Sequence, residues 1–183
     1  MSPDAVVAAT RRWIAALVIG LNLCPFARRV YDGDKIRYAV SAATDEIALL
    51  EDLRRELQSL AATPIETVET TLLIHPHALG EFLDYNDFLD VANREVRRLG
   101  LEGVIQIASF HPNYRFADAE PDAVENYTNR SPFPMLHLLR EESVSRVADD
   151  PDALLDVPRR NVATLRRLGL AEIQRRLAEG PRP

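Results

Sequence analysis

Between Lys35 and Phe110 the hydrophobic pattern changes period repeatedly, and few architectures accommodate that. Lys35–Ser41 (KIRYAVS), Thr67–Ile74 (TVETTLLI) and Gly103–Phe110 (GVIQIASF) are short, β-branched and bounded by turn residues, as strands are. Between them, Asp45–Ala61 and Phe82–Leu99 repeat apolar residues at about 3.6-residue spacing, as amphipathic helices do. The first of these helices has Thr44 as its cap and Ile47, Leu50, Leu53, Leu57 and Leu60 as its stripe. This alternation predicts an α/β (or α+β) fold. Its core is a small three-stranded, at least partly parallel sheet joined by crossover helices. A split β-α-β arrangement stays open.

The flanks are helical. An N-terminal amphipathic helix is expected over Asp4–Gly20. Arg11-Arg12 before the apolar run Trp13–Cys24 imitates an export signal, but that run is too short to cross a bilayer. It is followed by Pro25 and Arg28-Arg29 instead of a small-residue cleavage site. After the third strand comes a polar loop, Pro112–Pro134. Pro134 then suits the first turn of a helix reaching Val147, broken by Asp149-Asp150-Pro151. Two short helices, Pro158–Leu168 and Leu170–Glu179, lead to a frayed Gly-Pro-Arg-Pro end. The expected organisation is one domain over residues 1–183: an α/β core (1–111), a polar loop (112–133), and C-terminal helices packed on the core (134–180).

Composition limits the function classes. At 183 residues the chain can bury roughly 70% of its unfolded surface and needs no covalent staples. Its single cysteine, Cys24, rules out an internal disulfide framework and points to a reducing, cytoplasmic setting. A net charge of −6 disfavours nucleic-acid and membrane partners, because phosphate recognition needs a positive footprint. The charge is uneven: seven arginines follow position 158, and ten acids lie between Asp118 and Asp156. A small-molecule ligand is the expected partner, and oligomeric state has no sequence signature. With seven glycines and no Gly-rich phosphate loop, CxxC pair, HExxH or GxSxG, the commonest nucleotide, zinc and serine-hydrolase signatures are missing.

Chemistry is expected where two strands end alike. Leu73-Ile74-His75-Pro76 and Ser109-Phe110-His111-Pro112 each run from apolar residues into histidine and proline. Proline stops a central strand and keeps the residue before it extended, so each imidazole sits at a strand's carboxyl end. Parallel strands would open both onto the edge where α/β sheets bind ligands. His77 reads as a surface residue. On a helix from Pro134, His137, Arg140, Glu141 and Val144 would share one face, with Glu141 able to orient His137 and Arg140 able to fork an anion. The segment Asn129-Arg130-Ser131 is dense in donors just before that helix. Cys24, in a loop ahead of Pro25, is either a nucleophile, if a nearby base makes its thiolate, or a small buried wall.

Three of these segments carry a resemblance. LNLCPFA (Leu21–Ala27), SFHPNYRFAD (Ser109–Asp118) and NRSPFPMLHLLREESV (Asn129–Val144) resemble the hallmark runs of a bacterial and plant family known as domain of unknown function 1415. Phe133 stands where tyrosine is more usual. The resemblance brings no reaction, cofactor or catalytic residue with it, and it suits a stand-alone cytosolic protein.

The functional expectation is an enzyme for a small polar or anionic metabolite at the sheet's carboxyl edge. Its catalytic residues would be His111, His137 and Cys24, and its substrate-binding residues Tyr114, Asn129, Arg130, Ser131 and Arg140. A divalent transition metal there would need three or four protein ligands, drawn from His75, His111, His137, Cys24 and Glu141. Two alternatives compete with the enzyme. One is a non-catalytic binding or assembly module using Arg159, Arg160, Arg166, Arg167, Arg175 and Arg176. The other is a redox-sensing thiol at Cys24.

Overall fold

The computed structural model describes residues 1–147 and 156–179. Asp149–Pro151 and the Gly180–Pro183 end lie outside these described residues. Ser2 caps α1 (Pro3–Trp13), which runs without a break into a π-helical turn, Ile14–Ile19. Then come α2 (Ala27–Asp32), β1 (Ile36–Val40), α3 (Glu46–Ala62), β2 (Thr70–Ile74), α4 (Phe82–Arg98) and β3 (Ile105–Phe110). A 3-10 turn, Val124–Thr128, interrupts the long loop. The chain ends in β4 (Met135–Arg140), α5 (Glu141–Val147), α6 (Val157–Leu168) and α7 (Leu170–Glu179).

The sheet has four strands, not three, in the order β1-β2-β4-β3. β1 and β2 are parallel, and β4 is antiparallel to both β2 and β3. β2, α4 and β3 therefore form a split β-α-β unit, and β4 fills the split. The expected helix from Pro134 is wrong over its first half. Met135–Arg140 (MLHLLR) is apolar enough to suit either period, and proline fits the entrance of a strand as well as the first turn of a helix. A vacant central position between two strands decides in favour of β4. So residues 134–140 belong to the middle of the sheet, not to a C-terminal helical layer.

Helices cover both faces. On one, α3 and α4 bury Leu49, Leu53, Leu57, Leu60, Tyr85 and Phe88 over Leu73, Leu136 and Leu138. Asp45, rather than Thr44, caps α3, its carboxylate accepting from the Ala48 N–H at 2.9 Å. That start turns Ile47 out to solvent and puts Leu49 in the stripe. On the other face, α1, the π-helical turn, α6 and α7 bury Val6, Trp13, Ile14, Leu17, Leu165 and Ile173 over Leu72, Ile74 and Met135. No helix among the described residues is long and apolar enough to cross a membrane.

Candidate functional site

His75 and His111 do flank one rim. Ile74 and Phe110 both pair with Met135, so the two imidazoles leave the sheet on either side of the start of β4. Both, however, are completely buried under α4, against Tyr85. His75 Nδ1–H donates to the Ala78 carbonyl at 3.0 Å. His111 Nδ1 accepts from the Asn113 N–H at 3.0 Å, so its proton lies on Nε2 and goes to the Leu79 carbonyl at 3.2 Å. Two adjacent carbonyls of the β2–α4 loop are thus held by two rings. Tyr85 closes the same corner, donating to Met135 O and accepting from Phe110 N–H, each at 2.9 Å. Burial pushes His75 down to about 4 and also lowers His111. The rim centre expected from the strand ends is a structural corner. Its rings have no open face for a substrate. His77 is exposed, as expected.

His137 is elsewhere. Strand pleating sends alternate residues to opposite faces, so His137 faces α1 while Arg140 faces α3. A helical face shared by the two, and with it the pairing of His137 with Glu141, does not form. Arg140 is buried, and it donates from Nη2 to the carbonyls of Leu60 (2.6 Å), Thr63 (2.5 Å) and Val68 (3.3 Å). It caps the carboxyl end of α3, where a cation also suits the helix dipole, and has no room for an anion.

Around His137 there is a small cavity of about 60 Å³. Its walls are Trp13, Ile14 and Val18 from α1 and the π-helical turn, Cys24, Phe26, Ala27 and Val30 from the α2 region, and Ile36, Thr70, Leu72, Phe110 and His137 from the sheet. At about 30 Å³ each, roughly two waters would fill it. His137 Nε2 lies 2.8 Å from Thr70 Oγ1, and Thr70 donates its own proton to the Leu138 carbonyl at 2.7 Å. With its proton on the Leu138 carbonyl, Thr70 accepts from His137, and the ring proton then sits on Nε2. Nδ1 keeps a lone pair, has no partner among the described residues, and is not one of the sealed polar atoms of the core; it opens on the cavity. Burial pushes His137 down to about 4, so the ring is neutral near pH 7. π-helical turns recur at functional sites, and this one supplies a wall.

Cys24 shares that cavity. Burial raises its thiol pKa, and the backbone amides of Phe26 and Ala27 offset this only in part. A thiol held protonated is a poor nucleophile and a poor oxidation sensor.

The remaining candidates shape the long loop. Buried Asn126 organises it, accepting from the Phe116 N–H and donating to the Glu120 carbonyl. Asn129 donates to the Ser109 carbonyl at 3.0 Å and holds the His111 N–H through its own carbonyl. It lines the broad groove between the 3-10 turn and α6, whose described lining includes neither the thiol nor any histidine. Ser131 Oγ donates to the Phe133 carbonyl at 2.7 Å. Tyr114 packs on Phe82 and Phe116. Arg130 crosses the loop, donating to the carbonyls of Tyr114 (3.2 Å) and Pro121 (2.7 Å) over the Tyr127 ring. The proposed metal set does not converge, because His75 and His111 lie on the opposite sheet face from His137. Among the described residues no three His, Cys, Asp or Glu side chains gather as a metal centre requires.

The basic C-terminal helices are largely neutralised. Arg159 pairs with Asp156, Arg166 with Glu125, and Arg175 and Arg176 with Glu172. Sequence reasoning missed Thr70 and Trp13. Thr70 gains meaning only once β4 is a strand beside β2, and no local signal announces the π-helical turn.

Residues 5–175 match the family model described as protein of unknown function (DUF1415). No curated protein and no solved structure matches the chain.

Proposed function

The chain belongs to the DUF1415 family, whose description assigns no activity, and on that footing we propose that it is an enzyme for a small polar or anionic molecule, with His137 as its acid–base group. One observation carries this reading. Thr70 fixes the tautomer of His137 and leaves the Nδ1 lone pair open to a cavity. His111 has both nitrogens satisfied and His75 has its bare Nε2 sealed in the core, whereas the bare nitrogen of His137 faces a cavity. Thr70 is the positioning residue. Cys24 is a protonated wall, which a reducing cytoplasm would preserve.

The cavity has room for the reacting group of a substrate and not for its whole body, and in it the imidazole is desolvated and a weak base. An anionic group brought beside Nδ1 would favour the charged ring and move its pKa back towards the working range. Proton transfer would then be switched on by substrate rather than standing ready in the empty protein. The pairing of the C-terminal arginines removes much of the positive surface that a binding module for acidic partners would need.

The test is turnover. Wild type and His137→Gln are incubated with a panel of small carboxylates, phosphates and polar neutral compounds, and conversion is read by mass spectrometry. The reading requires at least one compound converted by the wild type, with the rate falling about 100-fold or more in a folded His137→Gln variant. Conversion of nothing, or conversion that survives the substitution undiminished, contradicts it.

A further inference from the structure

We propose that a second concavity, bounded by Arg12, Trp13, Pro112, Tyr127, Arg130 and Pro132, binds a small organic anion with a flat, apolar body. The inference goes beyond the catalytic reading and survives its failure.

Charge is the first argument. Acidic residues outnumber basic ones 28 to 22 in the chain, yet no Asp or Glu lines this cleft and two arginines do. Neighbouring Arg11 is held by Asp34, and Arg29 by Glu69. Arg12 and Arg130 hold no carboxylate among the described residues. They arrive from different elements, α1 and the loop before β4, so their convergence is a property of the fold and not of local sequence.

Preorganisation is the second. Arg130 is fixed by Nε to the Tyr114 carbonyl at 3.2 Å and by Nη2 to the Pro121 carbonyl at 2.7 Å, with its guanidinium 4.8 Å from the Tyr127 ring centre. Nη1 has no partner among the described residues. A guanidinium already ordered in this way loses little further freedom when an anion arrives.

Shape is the third. The cleft is about 340 Å³, within the range of small-molecule pockets and far too small for a macromolecule. Two aromatic side chains and two prolines make its walls, which suits a planar ring better than a hydrated inorganic ion. The shared chemistry is an anionic group, carboxylate or phosphate ester, on an aromatic body. Trp13 lines both this cleft and the His137 cavity, so a ligand here would stand one residue from the imidazole chamber.

Trp13 is the chain's one tryptophan, so tryptophan fluorescence reports on the wall that this cleft shares with the His137 cavity, and the variants below tell the two apart. Wild type is titrated with phenyl phosphate, benzoate, inorganic phosphate and neutral benzamide. Saturable binding of phenyl phosphate or benzoate is expected, about tenfold or more tighter than that of benzamide or inorganic phosphate. The better of the two aromatic anions identifies the head group. Arg12→Gln, which removes an exposed side chain, should weaken that ligand about tenfold. Arg160→Gln, on the exposed side of α6, should bind as wild type does, and so should His137→Gln. Four results would overturn the proposal: no saturable response in the wild type, benzamide binding as tightly as benzoate, equal affinity in Arg12→Gln, or loss of binding in His137→Gln, which would move the ligand into the cavity.

Discussion

Thr70 and His137 meet across the β2–β4 ladder, Oγ1 to Nε2 at 2.8 Å. In register Thr70 faces Leu139 and His137 faces Leu72, so the two are diagonal neighbours on one sheet face. The hydroxyl passes its own proton to the Leu138 carbonyl, and this fixes which ring nitrogen is left bare. Thr70→Val keeps the shape and removes the hydroxyl. It should cost about 1–2 kcal/mol in urea unfolding, because it leaves the ring N–H unpaired in the core. An unchanged midpoint would mean that the pair holds nothing in place.

The pH dependence of stability follows from two desolvated rings, buried His75 and half-buried His137. His75 and His137 are both pushed down from 6.5 to about 4, with burial as the main cause. The unfolded chain therefore takes up these protons at higher pH than the folded one does. Stability is whole above the unfolded pKa of 6.5 and is lost as pH falls from there towards about 4. Each ring contributes a slope of up to about 1.4 kcal/mol per pH unit within that window. Urea melts across the window should show the decline, and His137→Gln should remove about half of the share due to the two rings. An identical slope in the variant would place His137 outside the desolvated pair.

Cys24 should behave as a sheltered thiol. Its pKa is raised above 9.0 by burial. Alkylation by iodoacetamide, followed against pH, should be slow at neutrality and should rise only above that value. Fast alkylation at neutral pH would restore the thiolate roles that the cavity argues against.

Arg140→Met should cost about 2–4 kcal/mol, since the carbonyls of Leu60, Thr63 and Val68 lose their donor. His111→Ala should be destabilising by about 2–3 kcal/mol for the same kind of reason, releasing the Leu79 carbonyl and the Asn113 N–H. Thermal melts of both variants check this. A fully stable His111→Ala protein would reopen the strand-end reading of that residue.

Local periodicity is why so much of the fold could be read in the sequence. β1, β2, β3 and the helices α3, α4, α6 and α7 fall within a few residues of their expected bounds, because each has an unambiguous period and a turn or cap beside it. β4 was unreadable for the opposite reason. MLHLLR has no polar alternation, and only the open slot between β2 and β3 makes it a strand. That one misreading carried the site with it. It placed His137 beside Arg140, when pleating sends them to opposite faces. The strand-end pattern at His75 and His111 correctly identified a shared rim, but burial is a property of what packs above a rim, and α4 lies over this one. Cys24 and His137, named separately from sequence, do share a chamber, and the chain's π-helical turn supplies part of its wall.

The central claim is the state of one ring, and with four histidines in the chain its nitrogens can be assigned directly by long-range proton–nitrogen NMR. The account predicts that His137 is neutral near pH 7, carries its proton on Nε2, leaves Nδ1 bare, and titrates at about 4. A proton on Nδ1, or an ordinary titration near 6.5, would contradict it.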